Sequence, residues 1–170
     1  MPHLYALQGA IASRSEAALL TATKKIISTQ GIKNLAMIDI ADLSQVSRAT
    51  LYNHFRDKDA VLYSLLSREI IYLFENAPKN PAELLEYFSL AISADSALAG
   101  MRSQDPAILA TMLMRNDDKI WHAIDAFFQS ALGSETKAGI AIAWLLAQVI
   151  QPLTPEQSRA QSSQLLHAYL

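Results

Sequence analysis

The chain has 170 residues, 51% of them apolar and 18% charged, with a formal net charge of −2 and no cysteine. That length and apolar content suit one compact unit or two small ones sharing a core. The near-neutral balance excludes a generally basic coat, and the missing cysteines exclude disulfides, thiolate zinc sites and cysteine nucleophiles.

Charge is still uneven along the chain: residues 1–75 carry 8 Lys or Arg against 7 acids, and residues 76–170 carry 6 against 9. A nucleic-acid contact therefore has to come from a local patch, and the N-terminal half is the basic side. The start, MPHLYALQGAIASRSEAALL, lacks the basic stretch, apolar run and small-residue cleavage site of a signal peptide, so a cytoplasmic location is expected. The greasiest stretch, Ala138 to Ile150, falls short of the roughly 20 apolar residues that cross a bilayer and reads as a buried helix.

Turn signals divide the chain into helices, and no run of β-branched residues alternates with polar ones, so an all-α fold is predicted. Ser13 and Glu16 read as a capping box for a helix reaching about Gln30, with Gly31 placed to end it. A short helix follows over Met37–Ser44, a second from Ser47 to Phe55, and a long one from about Lys58 to Asn76, stopped by the double-proline APKNP. Pro81 starts a helix toward Gly100, and Asp105 with Pro106 caps and starts the next. Asn116 or Asp117 begins another that ends at Gly133. Ser134 opens ETKAGIAIAWLLAQVI, and Thr154 with Pro155 and Gln157 opens the last. About nine helices result, as an N-terminal three-helix unit (1–57) and a C-terminal bundle (58–170) linked by the long helix.

The stretch VSRATLYNHFRDKDAVL (46–62) crowds hydroxyls, a guanidinium, a phenol, an amide and an imidazole into one helix. Ser, Thr and Asn favour caps and turns over helix interiors, so helix stability does not explain them. Two short helices joined by a tight turn make a helix-turn-helix, whose second helix enters the DNA major groove. Leu51 and Phe55, four apart, face inward with Val46; Ser47 is the N-cap; Arg48, Ala49, Thr50, Tyr52 and Asn53 fall on the other side. This is the kit of a groove reader: Arg for guanine, Asn for adenine, an Ala methyl for thymine, hydroxyls for phosphate. Lys58 at the start of the next helix adds a phosphate contact. A merely solvated polar face is the plainer reading of the same residues.

The segment IADLSQVSRATLYNHFRDKDAVL is similar to the helix-turn-helix signature of TetR-family (tetracycline-repressor-like) regulators through Ile40, Ala41, Val46, Ser47, Thr50, Leu51, Tyr52, His54, Phe55 and Lys58. The resemblance implies a homodimer with an N-terminal DNA-binding domain and a C-terminal bundle that dimerises and binds an inducer. Carried over by position, it turns Arg48, Ala49, Thr50, Tyr52, Asn53 and His54 toward double-stranded DNA and sets Lys58 on the backbone. Two positions depart from the pattern. Ala36 replaces a threonine that donates to phosphate, and Gln45 replaces the turn glycine, which implies a non-glycine residue at positive φ.

In the C-terminal half, Tyr87, Phe88, Met101, Met112, Met114, Trp121, Phe127 and Phe128 could line an apolar ligand pocket between helices or simply fill a core. Asp118, His122 and Asp125 share a helix face at i, i+4 and i+7, which a solvated outer face explains without a metal. No metal or cofactor is expected, and no phosphate loop, nucleophile elbow or paired-His helix points to catalysis. The helix 138–150 is apolar nearly all round, and the last helix ends on apolar residues, so Ile140, Trp144, Leu145, Val149, Leu165, Leu166 and Tyr169 are expected at a two-fold interface. The expected function is a DNA-binding transcriptional regulator, a repressor released from a palindromic operator by a small molecule. The alternative is a constitutive DNA-binding or architectural protein whose bundle only dimerises. An enzyme would leave the polar face of 46–58 unexplained.

Overall fold

A computed structural model describes residues 2–114 and 118–169, with side chains over 13–114 and 118–166. Its ten helices are α1 (Pro2–Gln30), α2 (Met37–Ser44), α3 (Arg48–His54), α4 (Lys58–Glu75), α5 (Pro81–Ala94), α6 (Ser96–Gln104), α7 (Pro106–Met112), α8 (Lys119–Leu132), α9 (Glu135–Ile150) and α10 (Pro155–Tyr169). No strand occurs among the described residues, and none of their helices is long and apolar enough to cross a membrane.

Most caps act as their residue types predict. Ser47 accepts from the Thr50 amide, Ser134 from Lys137 and Asp118 from Ile120. Thr154 and Gln157 bond each other's amides reciprocally, the capping box that opens α10. Gly133 ends α8 in the left-handed region, at φ 69°. The expected α8 start at Asn116 or Asp117 lies outside the described residues.

Three expectations fail. Helix α1 runs through Ser13 from Pro2, so Ser13 and Glu16 are interior and form no capping box. The Ala- and Leu-containing stretch before Ser13 suits a helix, and a proline at the first helical position costs nothing. The helix expected to run from Pro81 toward Gly100 breaks at Asp95, whose side chain takes the Leu98 amide at 2.9 Å and so starts α6. This accounts for the tenth helix. Asp105 caps nothing with its side chain, although Pro106 does open α7; its carboxylate is used elsewhere.

Two apolar cores result. The first joins Leu19, Ile26 and Ile27 of α1 to Ile40, Leu51, Phe55, Val61 and Leu65 from α2, α3 and α4, with Met101 and Leu109 reaching in from α6 and α7. The second gathers Leu84, Leu85 and Phe88 of α5 with Phe128 of α8 and Ala138, Ala141, Ile142 and Leu145 of α9. Helix α4 serves both, through Val61 and Leu65 at one end and Leu73 and Phe74 at the other. A Cβ at Gly100 would run into the Ile27 carbonyl, so α6 lies hard against the backbone of α1. Between α5, α9 and α10, the buried Ser89 hydroxyl meets Gln148 Oε1 at 2.6 Å and Ser158 Oγ at 2.8 Å. Satisfied polar groups in that position fix how the three helices register.

Candidate nucleic-acid interface

The interface is built on α2 and α3. Ile40 and Ala41 of α2, Leu51 of α3 and Phe55, the C-cap of α3, are 0–4% exposed, and they anchor both helices to α1 and α4. Between them the chain turns through Gln45 at φ 58°, ψ 26°, so a residue other than glycine does occupy the left-handed region. The turn is closed by the Val46 amide donating to the Ala41 carbonyl at 3.2 Å and by Gln45 donating to Asp42 at 3.4 Å. Ala36 is the N-cap of α2 and supplies no side-chain hydrogen bond there. A threonine hydroxyl at that place is therefore missing from both the cap and any phosphate contact.

With Leu51 and Phe55 turned inward, α3 presents Arg48, Ala49, Tyr52 and Asn53 to solvent, Tyr52 at 56% exposure. Thr50 and His54 are half-buried at the edges of that face. Ser47 Oγ accepts the Thr50 amide at 3.1 Å and lies 2.8 Å from Thr50 Oγ1. The cap thus uses one acceptor site, and the paired hydroxyls still have capacity for an incoming oxygen. The first turn of α3 also leaves amides pointing outward, where negative charge is favoured. Lys58, half-buried at the start of α4, directs its ammonium to the Ile32 carbonyl at 3.4 Å.

One cation escaped the sequence reading. Arg56 has an 88% exposed side chain between α3 and α4, its Nε 2.6 Å from Asp57 Oδ2. Asp57 Oδ1 meanwhile accepts the Ala60 amide at 2.9 Å as the N-cap of α4. The Ala60 amide, then the Arg56 guanidinium, hold the Asp57 carboxyl below the usual carboxylate range. The signal was present as a second basic residue in FRDK, two before Lys58.

The other expected sites are distributed differently. Tyr87, Phe88, Trp121, Phe127 and Phe128 do converge, in or against the second core. Their rings pack on one another: Phe127 stacks on Phe74 at 4.0 Å between centroids, and Phe88 meets Phe127 at 5.7 Å and Phe128 at 5.0 Å. Met101 belongs to the first core, while Met112 and Met114 are exposed. Of the expected interface residues, Leu145 and Val149 are already buried within the chain, and Ile140, Trp144, Leu165 and Leu166 are half-buried. Trp144 Nε1 donates to Gln161 Oε1 at 2.9 Å, tying α9 to α10. The Tyr169 side chain lies outside the described residues. Asp118 spends one carboxylate oxygen on the α8 cap, at 2.7 Å from the Ile120 amide.

Residues 19–65, which span this helix-turn-helix and its supports, match the profile of the tetR family of bacterial regulatory proteins. No curated protein matches by sequence. Among solved structures, a TetR-family transcriptional regulator of Haemophilus influenzae is similar with a TM-score of 0.56 at 16% identity, over 92% of this chain and 96% of that one. A Clostridium perfringens protein assigned to regulation of fatty acid metabolism is similar with a TM-score of 0.54 at 16% identity, over 90% and 98% of the two chains. Residues 19–65 therefore carry the helix-turn-helix of the tetR family of bacterial regulatory proteins, and the chain as a whole has a fold similar to that of TetR-family transcriptional regulators.

Proposed function

We propose that the protein is a homodimeric transcriptional repressor that leaves a near-palindromic operator when a small apolar molecule binds its C-terminal bundle. The observation that carries the DNA part is the solvent-facing set Arg48, Ala49, Tyr52 and Asn53 on α3, none of which the fold uses as core. Arg48 and Asn53 read base edges; Ser47, Thr50, His54, Lys58 and Arg56 hold phosphates. Residues 1–57 form the DNA-binding unit and 58–170 the effector and dimer unit, with α4 belonging to the second and packing on the first. The half-buried Ile140, Trp144, Leu165 and Leu166 on α9 and α10 support a two-fold, four-helix interface.

A second reading, a constitutive DNA-binding protein whose bundle only dimerises, is favoured by one observation: Phe74, Phe88, Phe127 and Phe128 fill the space between helices with each other's rings. A thermal-shift screen with apolar small molecules separates the two, because ligand at 100 times its dissociation constant stabilises by about 2.7 kcal/mol.

Selection of bound duplexes from a random pool tests the DNA reading. Enriched inverted repeats, with half-site centres about 34–36 Å apart or a multiple of that, are expected for paired recognition helices. Enriched sites without inverted symmetry overturn the dimer, and no enrichment overturns sequence-specific binding.

A further inference from the structure

Asp105 sits at the corner between α6 and α7, only 7% exposed, and its side chain takes no part in capping either helix. Its Oδ2 instead accepts the amide of Ile32 at 2.6 Å and that of Lys33 at 3.0 Å, in the turn that follows α1. The fit is close on the other side too. Gly31, at φ 75°, has no Cβ, and one placed there would run into Asp105 Oδ2. The Ile32–Lys33 peptide thus has its N–H, that of Lys33, held by Asp105, while its carbonyl, that of Ile32, accepts from Lys58 Nζ.

We propose that Asp105 is a positioning residue for DNA binding: through the Ile32–Lys33 peptide it holds the Lys58 ammonium where a backbone phosphate can meet it. This rests on the reading of Lys58 as a phosphate contact. An ammonium has three donors, so one bond to the Ile32 carbonyl orients it and leaves two for a phosphate. Without the carboxylate, the Ile32–Lys33 turn loses the acceptor that fixes both amides, and the carbonyl that steers Lys58 is left with the Leu35 amide, at 3.1 Å, to hold it. The same corner is tied further into the bundle, because Arg102 Nη1, one turn earlier on α6, donates to the Val149 carbonyl of α9 at 3.0 Å. A shift of α6 relative to α9 therefore reaches Lys58 through bonded groups rather than through the recognition helix. Spatial connection alone does not establish coupling, and a double-mutant cycle measures it.

The test uses the full chain and a mixed-sequence duplex, since a phosphate contact needs no particular site. Lys58→Ala is expected to weaken binding and to lower the slope of log affinity against log salt by about 1. Asp105→Ala should move affinity and slope in the same direction, and the double variant should bind no more weakly than Lys58→Ala alone. Asp105→Asn keeps an oxygen acceptor for both amides and should retain the wild-type slope. Where the alanine variant is poorly folded by circular dichroism, Asp105→Ser, with its shorter reach, serves in its place. Losses that add in the double variant overturn the relay while leaving the Lys58 assignment intact. A Lys58→Ala protein with unchanged affinity and slope overturns both, at the Lys58 assignment.

Discussion

The outer face of α3 and the aromatic cluster between α5 and α8 keep their distinctive side chains in opposite places. On α3 the chemistry-bearing residues are surplus to the fold: Leu51 and Phe55 do the packing, and Arg48 and Asn53 stand in water. In the cluster, Phe88 and Phe128, 3% exposed, are themselves the packing. Substitutions on the outer face of α3 can therefore change its chemistry without touching stability, whereas any in the aromatic cluster must also rebuild the core.

The largest effect that tests this contrast is at Phe88, whose ring lies within 6.2 Å, centroid to centroid, of those of Phe74, Tyr87, Phe127 and Phe128. Phe88→Ala is expected to lower unfolding free energy by about 3–5 kcal/mol in equilibrium denaturation. A loss below about 1 kcal/mol would mean that the ring lines open space, and would turn the comparison in favour of a ligand site. Next in size are Arg48→Ala and Asn53→Ala. Each is expected to cost about 1–3 kcal/mol of binding at the selected operator and to relax preference at one base pair. Their unfolding free energies should stay within about 0.5 kcal/mol of wild type. Equal weakening on every sequence would move that residue to the phosphate class.

The same contrast explains what could be read in advance. The helix-turn-helix was legible because its polar residues broke the habits of an ordinary surface helix. The helices were legible wherever a cap residue acts locally, as Ser47, Ser134 and Thr154 do. Asp95 and Asp105 were not, because each is used by a tertiary contact that local pattern does not carry. Asp95 begins a new helix while also meeting Lys24 of α1 at 2.7 Å, and Asp105 reaches residues more than 70 positions away. Arg56 was passed over because its neighbour Asp57 makes the pair look neutral, although the aspartate is shared with a helix cap. In the bundle, aromatic spacing is the same for a filled core and for a lined pocket, so composition alone gives both.

The smallest effect concerns Gln45, which joins the two regions' logics: it is exposed like the reading face, yet it shapes the scaffold like a core residue. Its backbone lies at φ 58°, ψ 26°, and the hydrogen bonds of the turn come from its own amide, that of Val46 and the Ser44 hydroxyl, none of them from the glutamine side chain. A left-handed conformation costs a residue with a Cβ of order 1 kcal/mol or more, a cost that glycine escapes. Glycine also makes the unfolded chain more flexible, which takes back about 0.4–1 kcal/mol. The exposed glutamine side chain brings no burial to offset either quantity. Gln45→Gly is therefore expected to be neutral or stabilising, within about 1 kcal/mol in equilibrium denaturation, and to leave operator affinity unchanged. Clear destabilisation would show that the glutamine side chain, and not the backbone alone, holds the turn. A change in affinity at unchanged stability would place this turn on the reading side of the comparison, through a shift of α3 against the groove or through a DNA contact of the glutamine amide itself.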